Sequence, residues 1–395
     1  MKKFVLTGSY PQYSFFTIIL CSVLTLAIIN FLWTALNLHV PGEPNELIDF
    51  TQPVDSIFYV RNAELGYRWD KETPTSLWFH PLVSLGIRLL PSSLPANIRL
   101  WLISLLSAFG ALIFTYRYTA YISSDSLSPV AAILFMPLIP GVVGVATGNA
   151  EFPCLLFNAL LLLSVVEERP VYYPILWGAL AILTKPNAIY MIPVLGVYLI
   201  YAVKSGDWKK KRNSLWGICS IVFVWLVWMI FVDFQVGEFG AYWDVRKIST
   251  VPLTAGPLTF LQRATRIFVY GTNEGEMLKF VTALAIPLVD LWIILSIPLK
   301  HESHRLSIIA GIVAMILVTF LINNPNKIVV YATTIPGHIS IGLLFLQETL
   351  INQPKIVSKK WLEGLFRSLA GLSYVTFCVL IIIFYILGTP LEWYY

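Results

Sequence analysis

The chain has 395 residues, 57% of them hydrophobic and 12% charged, with a formal net charge of +5. At a mean hydropathy of +0.73 it has too little polar surface to cover a soluble globule of this length, so lipid is the expected solvent and no separate soluble domain fits. The cations sit in short clusters beside apolar runs, a pattern that sets membrane orientation and argues against nucleic acid as a partner.

The pattern predicts an all-α polytopic membrane protein, a single transmembrane domain over residues 1–395 with about eleven spans. Lys2 and Lys3 precede the first apolar run, 15–36, which has no small-residue cleavage site after it and reads as a retained span rather than a signal peptide. The further spans are expected at 97–121, 128–147, 152–166, 171–184, 188–203, 214–233, 280–299, 306–323, 328–347 and 369–388, the fourth to sixth of the series being short. Cys21, Cys154, Cys219 and Cys378 all fall within these spans, without disulfide or metal spacing, and read as small packing residues.

The longest polar gaps lie at 37–78 and 234–279. Within the first, the apolar residues from Ser56 to Gly66 are spaced for a short interfacial helix ended by Gly66. Asp55 then stands at or next to its N-cap, where a carboxylate accepts backbone N–H groups; Arg61, Glu64 and Arg68 follow at helical intervals. His80 and Pro81 open a second apolar run, 79–90, too short to span and expected to lie along the surface, so that a first outer loop with interfacial helices extends over 37–96.

With the N-terminus cytoplasmic, one alternating threading places three cationic clusters inside. These are Lys204 with Lys209–Arg212, Lys300 with Arg305, and Lys355, Lys359, Lys360 and Arg367. The same threading sends both long gaps, GNAE at 148–151, TKPN at 184–187 and NNPNK at 323–327 to the opposite face. Polar groups gathered at one interface suit an enzyme acting on a lipid-linked substrate, whereas pumps and channels place ionisable residues along a path through the spans. Asp290 and His338 are among the few such groups well inside spans; Asp290 reads more readily as a packing residue with a partner than as a proton relay, and His338, beside Pro336 and Gly337, reads either as lining a cavity or as a hydrogen-bonded structural histidine.

In PVDSIFYVRNAELGYRWDKETPTSLWFHPL, the order Asp55, Phe58 and Tyr59, AELGY, a polar spacer and WFHPL resembles WD, an aromatic, IAE, GY and FFPLYP at the start of the GPI mannosyltransferase 2 (PIG-V-like) family and its bacterial relatives. GNAEFPCLLFNALLLLSVVEERPVYYPILWGALAILTKPNAIYMIPVL is similar to that family's acidic span start, basic cytoplasmic turn and TRPTG or TRPNG motif. The resemblance covers about the first half of the chain; the second half is similar only in span pattern. Val54 stands where the family has Trp, Lys185 where it has Arg, Ala188 where it has Gly, and His80 where it has a second Phe or a neighbouring residue. Lys in place of Arg offers a point charge instead of a bidentate fork.

The resemblance implies a GT-C type bundle and an inverting, mannosyltransferase-like sugar transfer. The donor would be a polyprenyl-phosphate sugar and the acceptor a glycan, lipid or protein on the non-cytoplasmic face. It implies a bacterial inner membrane, or the endoplasmic reticulum in a eukaryote. Asp55 is the family-matched general base; Lys185 is the first choice to face the leaving phosphate. Glu151, Asn187, Arg61 and His80 are the further substrate-binding candidates, while Glu151 reads equally as a helix N-terminal carboxylate. Arg68, Arg246, Arg263 and Arg266 lie in the outer loops, where snorkelling to headgroups is the simpler role.

No P-loop, GxGxxG, HExxH or GxSxG is present. Asp55, Glu64, Asp70, Glu72 and Glu151 offer oxygen ligands without diagnostic spacing, so no metal site is assigned and a divalent metal stays open. The alternative reading is a multi-pass transporter or lipid flippase. It finds support in the breaker cluster Pro137, Pro140, Gly141 and Gly144 but not in any visible pair of repeated halves.

Overall fold

The computed structural model describes residues 54–67, 77–122, 150–242 and 299–322. Among them every regular element is helical. The elements are α1 (Val54–Leu65), α2 (Pro81–Leu89), α3 (Ala96–Ile122), α4 (Glu151–Val166), α5 (Tyr172–Thr184), a 3₁₀ turn (Pro186–Tyr190), α6 (Met191–Ser205), α7 (Trp208–Val236) and α8 (Glu302–Ile322). The spans predicted at 15–36, 128–147, 328–347 and 369–388 lie outside the described residues, as do nearly all of 280–299 and the second gap beyond Tyr242.

Among the described residues, three helical stretches are long and apolar enough to cross a membrane: Ala96–Ile122, Pro186–Ser205 and Trp208–Val236. Glu151–Val166 and Tyr172–Thr184 are shorter, 16 and 13 residues. At 1.5 Å per residue they reach about 24 and 20 Å, short of a hydrocarbon core of about 30 Å. The break between α5 and α6 follows from Pro186. Its ring disfavours helical geometry at the preceding residue, and Lys185 is extended, with φ −157° and ψ 141°. At the end of α1, Gly66 takes φ +81°, a left-handed conformation that costs glycine nothing, and its N–H returns to the Asn62 carbonyl at 3.1 Å.

Helices α3 to α8 share one core, in which Tyr118, Leu161, Leu162, Val165, Ala181, Ile182, Met191, Leu195, Tyr198, Ile221, Ile308 and Ile312 are buried together. Small residues bring α5 and α7 close. A Cβ at Gly178 would lie 2.2 Å from Ser220 Oγ and 3.1 Å from the Gly217 carbonyl, and one at Gly217 would meet Leu195 and Leu161 at 3.1 and 3.2 Å. Helices in lipid lack a hydrophobic drive toward one another, so such close approach supplies the packing attraction.

Two ends of the bundle are distinct. At one, Lys300 N–H donates to the Ile122 carbonyl (3.0 Å), Tyr121 Oη to Val166 O (2.8 Å), and Asn213 Nδ2 to Ser164 O and Arg169 O (3.2 and 2.7 Å). Arg117 and Arg169 both pair there with Glu167, at 2.6 and 2.7 Å. The opposite end carries α1, α2, the start of α4, the 3₁₀ turn and the start of the second long gap. Along the described chain, the segments assigned by sequence to one face thus share one end.

Candidate functional site

The α1–α2 end is assembled by contacts between segments far apart in sequence. Tyr59, Ala63, Phe79, Val83, Ile87, Ala96, Leu100 and Ala150 form a buried cluster that joins α1, α2 and α3 to the residue preceding Glu151. Ser84 Oγ donates to Tyr59 O at 3.0 Å, Arg88 Nε to Ala63 O, and Arg99 Nη1 to Ile87 O at 2.7 Å, so the two short helices are tied to each other and to α3. The two long gaps also touch. Asp233 accepts from Gly240 N (3.0 Å) and Tyr242 N (3.2 Å), folding the chain back after α7. Tyr242 then packs with Leu77, Trp228 and Val232, its ring 5.3 Å from that of Trp78.

Glu151 is the first residue of α4, and Lys185 lies immediately after α5. Their side chains form an ion pair in which Lys185 Nζ donates to Glu151 Oε1, and only 13% and 5% of the respective side chains remain exposed. The extended conformation imposed by Pro186 takes Lys185 out of the helix, and α4 brings Glu151 to meet it. Glu151 Oε2 is buried without a hydrogen-bond partner among the described residues, and so is Nδ2 of Asn187, two residues after the lysine.

His80 is tied to the same segment. Its Nδ1 bonds the Ile182 carbonyl. In an uninterrupted helix that carbonyl would accept the N–H of the residue four positions on, which here is Pro186 and has none. The proline of TKPN therefore frees an acceptor, and the histidine of WFHPL fills it. With Nδ1–H donating to a carbonyl, the imidazole is the tautomer whose Nε2 is an acceptor, and that nitrogen is buried without a partner among the described residues. Burial lowers the His80 pKa to about 4, against the opposing effect of the Ile182 bond, so the ring is neutral at pH 7. The Trp228 ring lies 5.7 Å away. Tyr67, whose hydroxyl donates to Ser84 Oγ at 3.3 Å, is pushed up to about 12, mainly by burial.

Asp55 is the second residue of α1. Arg61 lies half-buried further along α1. Of the sequence candidates, the contacts unite Glu151 with Lys185 and bring His80 and Asn187 to the same end. Arg68, Asp70, Glu72, Arg246, Arg263, Arg266, Asp290 and His338 lie outside the described residues.

Sequence reasoning placed Glu151 and Lys185 on one face but did not pair them; opposite charges at two turns assigned to that face were the available signal. It also did not anticipate the carbonyl freed by Pro186. Among the described residues no group of three or more His, Cys, Asp or Glu is arranged to hold a metal ion. Chemically, the site offers a buried carboxylate oxygen, an amide donor and a neutral imidazole acceptor, together with a cation already offset by a carboxylate. No protein-family model matches this chain, and no curated protein matches it.

Proposed function

We propose that this chain is a polytopic membrane glycosyltransferase of GT-C type that moves a hexosyl group, in the manner of the mannosyltransferases it resembles, from a polyprenyl-phosphate donor to an acceptor hydroxyl. The observation that carries this reading is the physical union of three segments on which the resemblance rests: WFHPL bonds the last turn of the helix leading into TKPN through His80 and Ile182, and TKPN pairs with GNAE through Lys185 and Glu151. Buried polar atoms left without partners on three of these side chains are the second support, since such groups cost free energy unless a ligand or water satisfies them.

In this reading the acceptor oxygen attacks the anomeric carbon as Asp55 takes its proton. The bond from that carbon to the phosphate oxygen breaks with inversion, and its electron pair leaves on the lipid phosphate. Lys185 supplies positive charge near the leaving group, tempered by Glu151, and the remaining Glu151 oxygen accepts from a sugar or acceptor hydroxyl. Asn187 Nδ2 donates and His80 Nε2 accepts, which suits a polyhydroxylated ligand.

The test is transfer of labelled sugar from polyprenyl-phosphate mannose and polyprenyl-phosphate glucose by the purified full chain. Asp55→Asn keeps the size and polarity of the side chain while removing its charge, and is expected to lower turnover by roughly 10²–10⁴-fold, the contribution of a positioned general base. Wild-type turnover in this variant would remove Asp55 from the chemistry, and no transfer from either donor would argue against the reading.

A further inference from the structure

The exposed face of α7 continues into a feature at the other end of the molecule. Large apolar residues are open along one stripe: Trp216, Phe223, Val227, Ile230 and Phe234 are 48%, 68%, 49%, 66% and 81% exposed, and Leu215 and Leu226 flank them. From Leu215 to Phe234 the helix rises about 29 Å, the thickness of a hydrocarbon core. Extended backwards by one and two turns, the same stripe runs through Arg212 and Trp208. These residues therefore stand about 5 and 11 Å beyond the apolar band, at the level of headgroups, where tryptophan and long basic side chains are favoured.

The charge there is unbalanced. Lys204, Lys209, Lys210, Lys211 and Arg212 flank the α6–α7 turn, and the nearby carboxylates are already engaged. Glu168 stands 3.9 Å from both Lys209 and Lys210, and Asp207 lies 3.5 Å from Lys210 while also accepting the Lys210 N–H as N-cap. Lys211 Nζ lies over the Trp208 ring at 5.2 Å. Arg212 makes no ion pair among the described residues, and its Nε is buried without a hydrogen-bond partner. A half-buried guanidinium without a counter-charge at headgroup depth favours an oxyanion at its accessible side, and the positive end of the α7 dipole adds to that field.

We propose that the α6–α7 end is a binding site for an anionic phospholipid, with Arg212 and Lys211 holding the headgroup phosphate and Trp208 lying beside it in the interface. The site is remote from Glu151 and Lys185 and independent of sugar transfer. It rests on the reading of α7 as a membrane-crossing helix.

The full chain, purified in detergent, is titrated with phosphatidylglycerol or phosphatidylcholine, and its melting temperature is followed. Phosphatidylglycerol is expected to raise the melting temperature at a lower mole fraction than phosphatidylcholine, and 0.5 M salt is expected to weaken that effect by screening. Arg212→Gln with Lys211→Gln should move the half-effect mole fraction up roughly 25-fold, about fivefold per cation at an anionic surface. Arg212→Lys, which keeps the charge and is the milder test should the double variant not fold, should move it less than fivefold. Equal responses to the two lipids, a salt-insensitive response, an unchanged double variant, or the same rise with inorganic phosphate alone would overturn the proposal. A chain released from membranes by carbonate washing without detergent would instead defeat the membrane reading itself.

Discussion

Removing the lysine of the Glu151–Lys185 pair separates structure from chemistry. Lys185→Ala leaves a carboxylate whose side chain is 5% exposed, with one oxygen already unsatisfied and no other ion pair among the described residues. Breaking a buried pair from one side costs about 3–5 kcal/mol, a large fraction of the 5–15 kcal/mol that holds a typical domain together. Both partners are well under one-third exposed, so solvent screening reduces this only modestly. Glu151→Gln combined with Lys185→Met removes both charges and should return stability to within about 1 kcal/mol of wild type, because the desolvation of two ions is removed along with their attraction. Lys185→Arg should also remain stable and retain substantial transfer. The assay is thermal unfolding of the detergent-purified variants beside sugar transfer at matched protein. Lys185→Ala melting like wild type would refute burial of the pair. A doubly neutral variant that is both stable and fully active would reduce the pair to packing.

The remaining predictions test the other joints. His80 titrates at about 4 when folded against 6.5 when unfolded, so its contribution is fully present above pH 6.5 and is lost as pH falls toward 4; His80→Phe, which keeps the ring but not the bond to Ile182, should flatten that acid limb of the melting-temperature profile and cost about 1–3 kcal/mol for the unsatisfied carbonyl. Gly178→Ala should already lower the melting temperature, because its Cβ displaces Ser220 Oγ at 2.2 Å and presses on the Gly217 carbonyl at 3.1 Å, and Gly178→Leu, with three more carbons at the same crossing, should lower it further; equal melting temperatures for the two would contradict the crossing. Reporters fused after Lys211 and near Gly271 should read opposite sides of the membrane, and finding both on one side would refute the alternating threading.

Several features were legible along the chain because they depend on neighbours within a few residues. Apolar run length marked the helices, Gly66 ended α1 through its own backbone freedom, and Pro186 broke α5 from α6 by ring geometry and a missing N–H. The alternation of charge between successive turns likewise anticipated which described segments share an end. Some boundaries moved: α7 begins at Trp208 rather than 214, since Asp207 caps the helix and the basic run continues it.

The joints of the site depended on the tertiary fold. Lys185 reaches Glu151 across 34 residues and His80 reaches the Ile182 carbonyl across 102; no periodicity encodes contacts of that separation. Whether a polar side chain at a turn faces solvent or a buried partner is decided by the helices packed around it. A free carbonyl can be read from a proline, but which donor fills it follows only from where α2 docks. The sequence by itself therefore determined where the chain is helical, where it breaks and which turns are charged, because those are local properties of backbone and side chain. Only the packing of α4 against α5 decided that Glu151 and Lys185 are paired, and only the docking of α2 on the end of α5 decided that His80 is held neutral, because burial and pairing belong to the assembled interior.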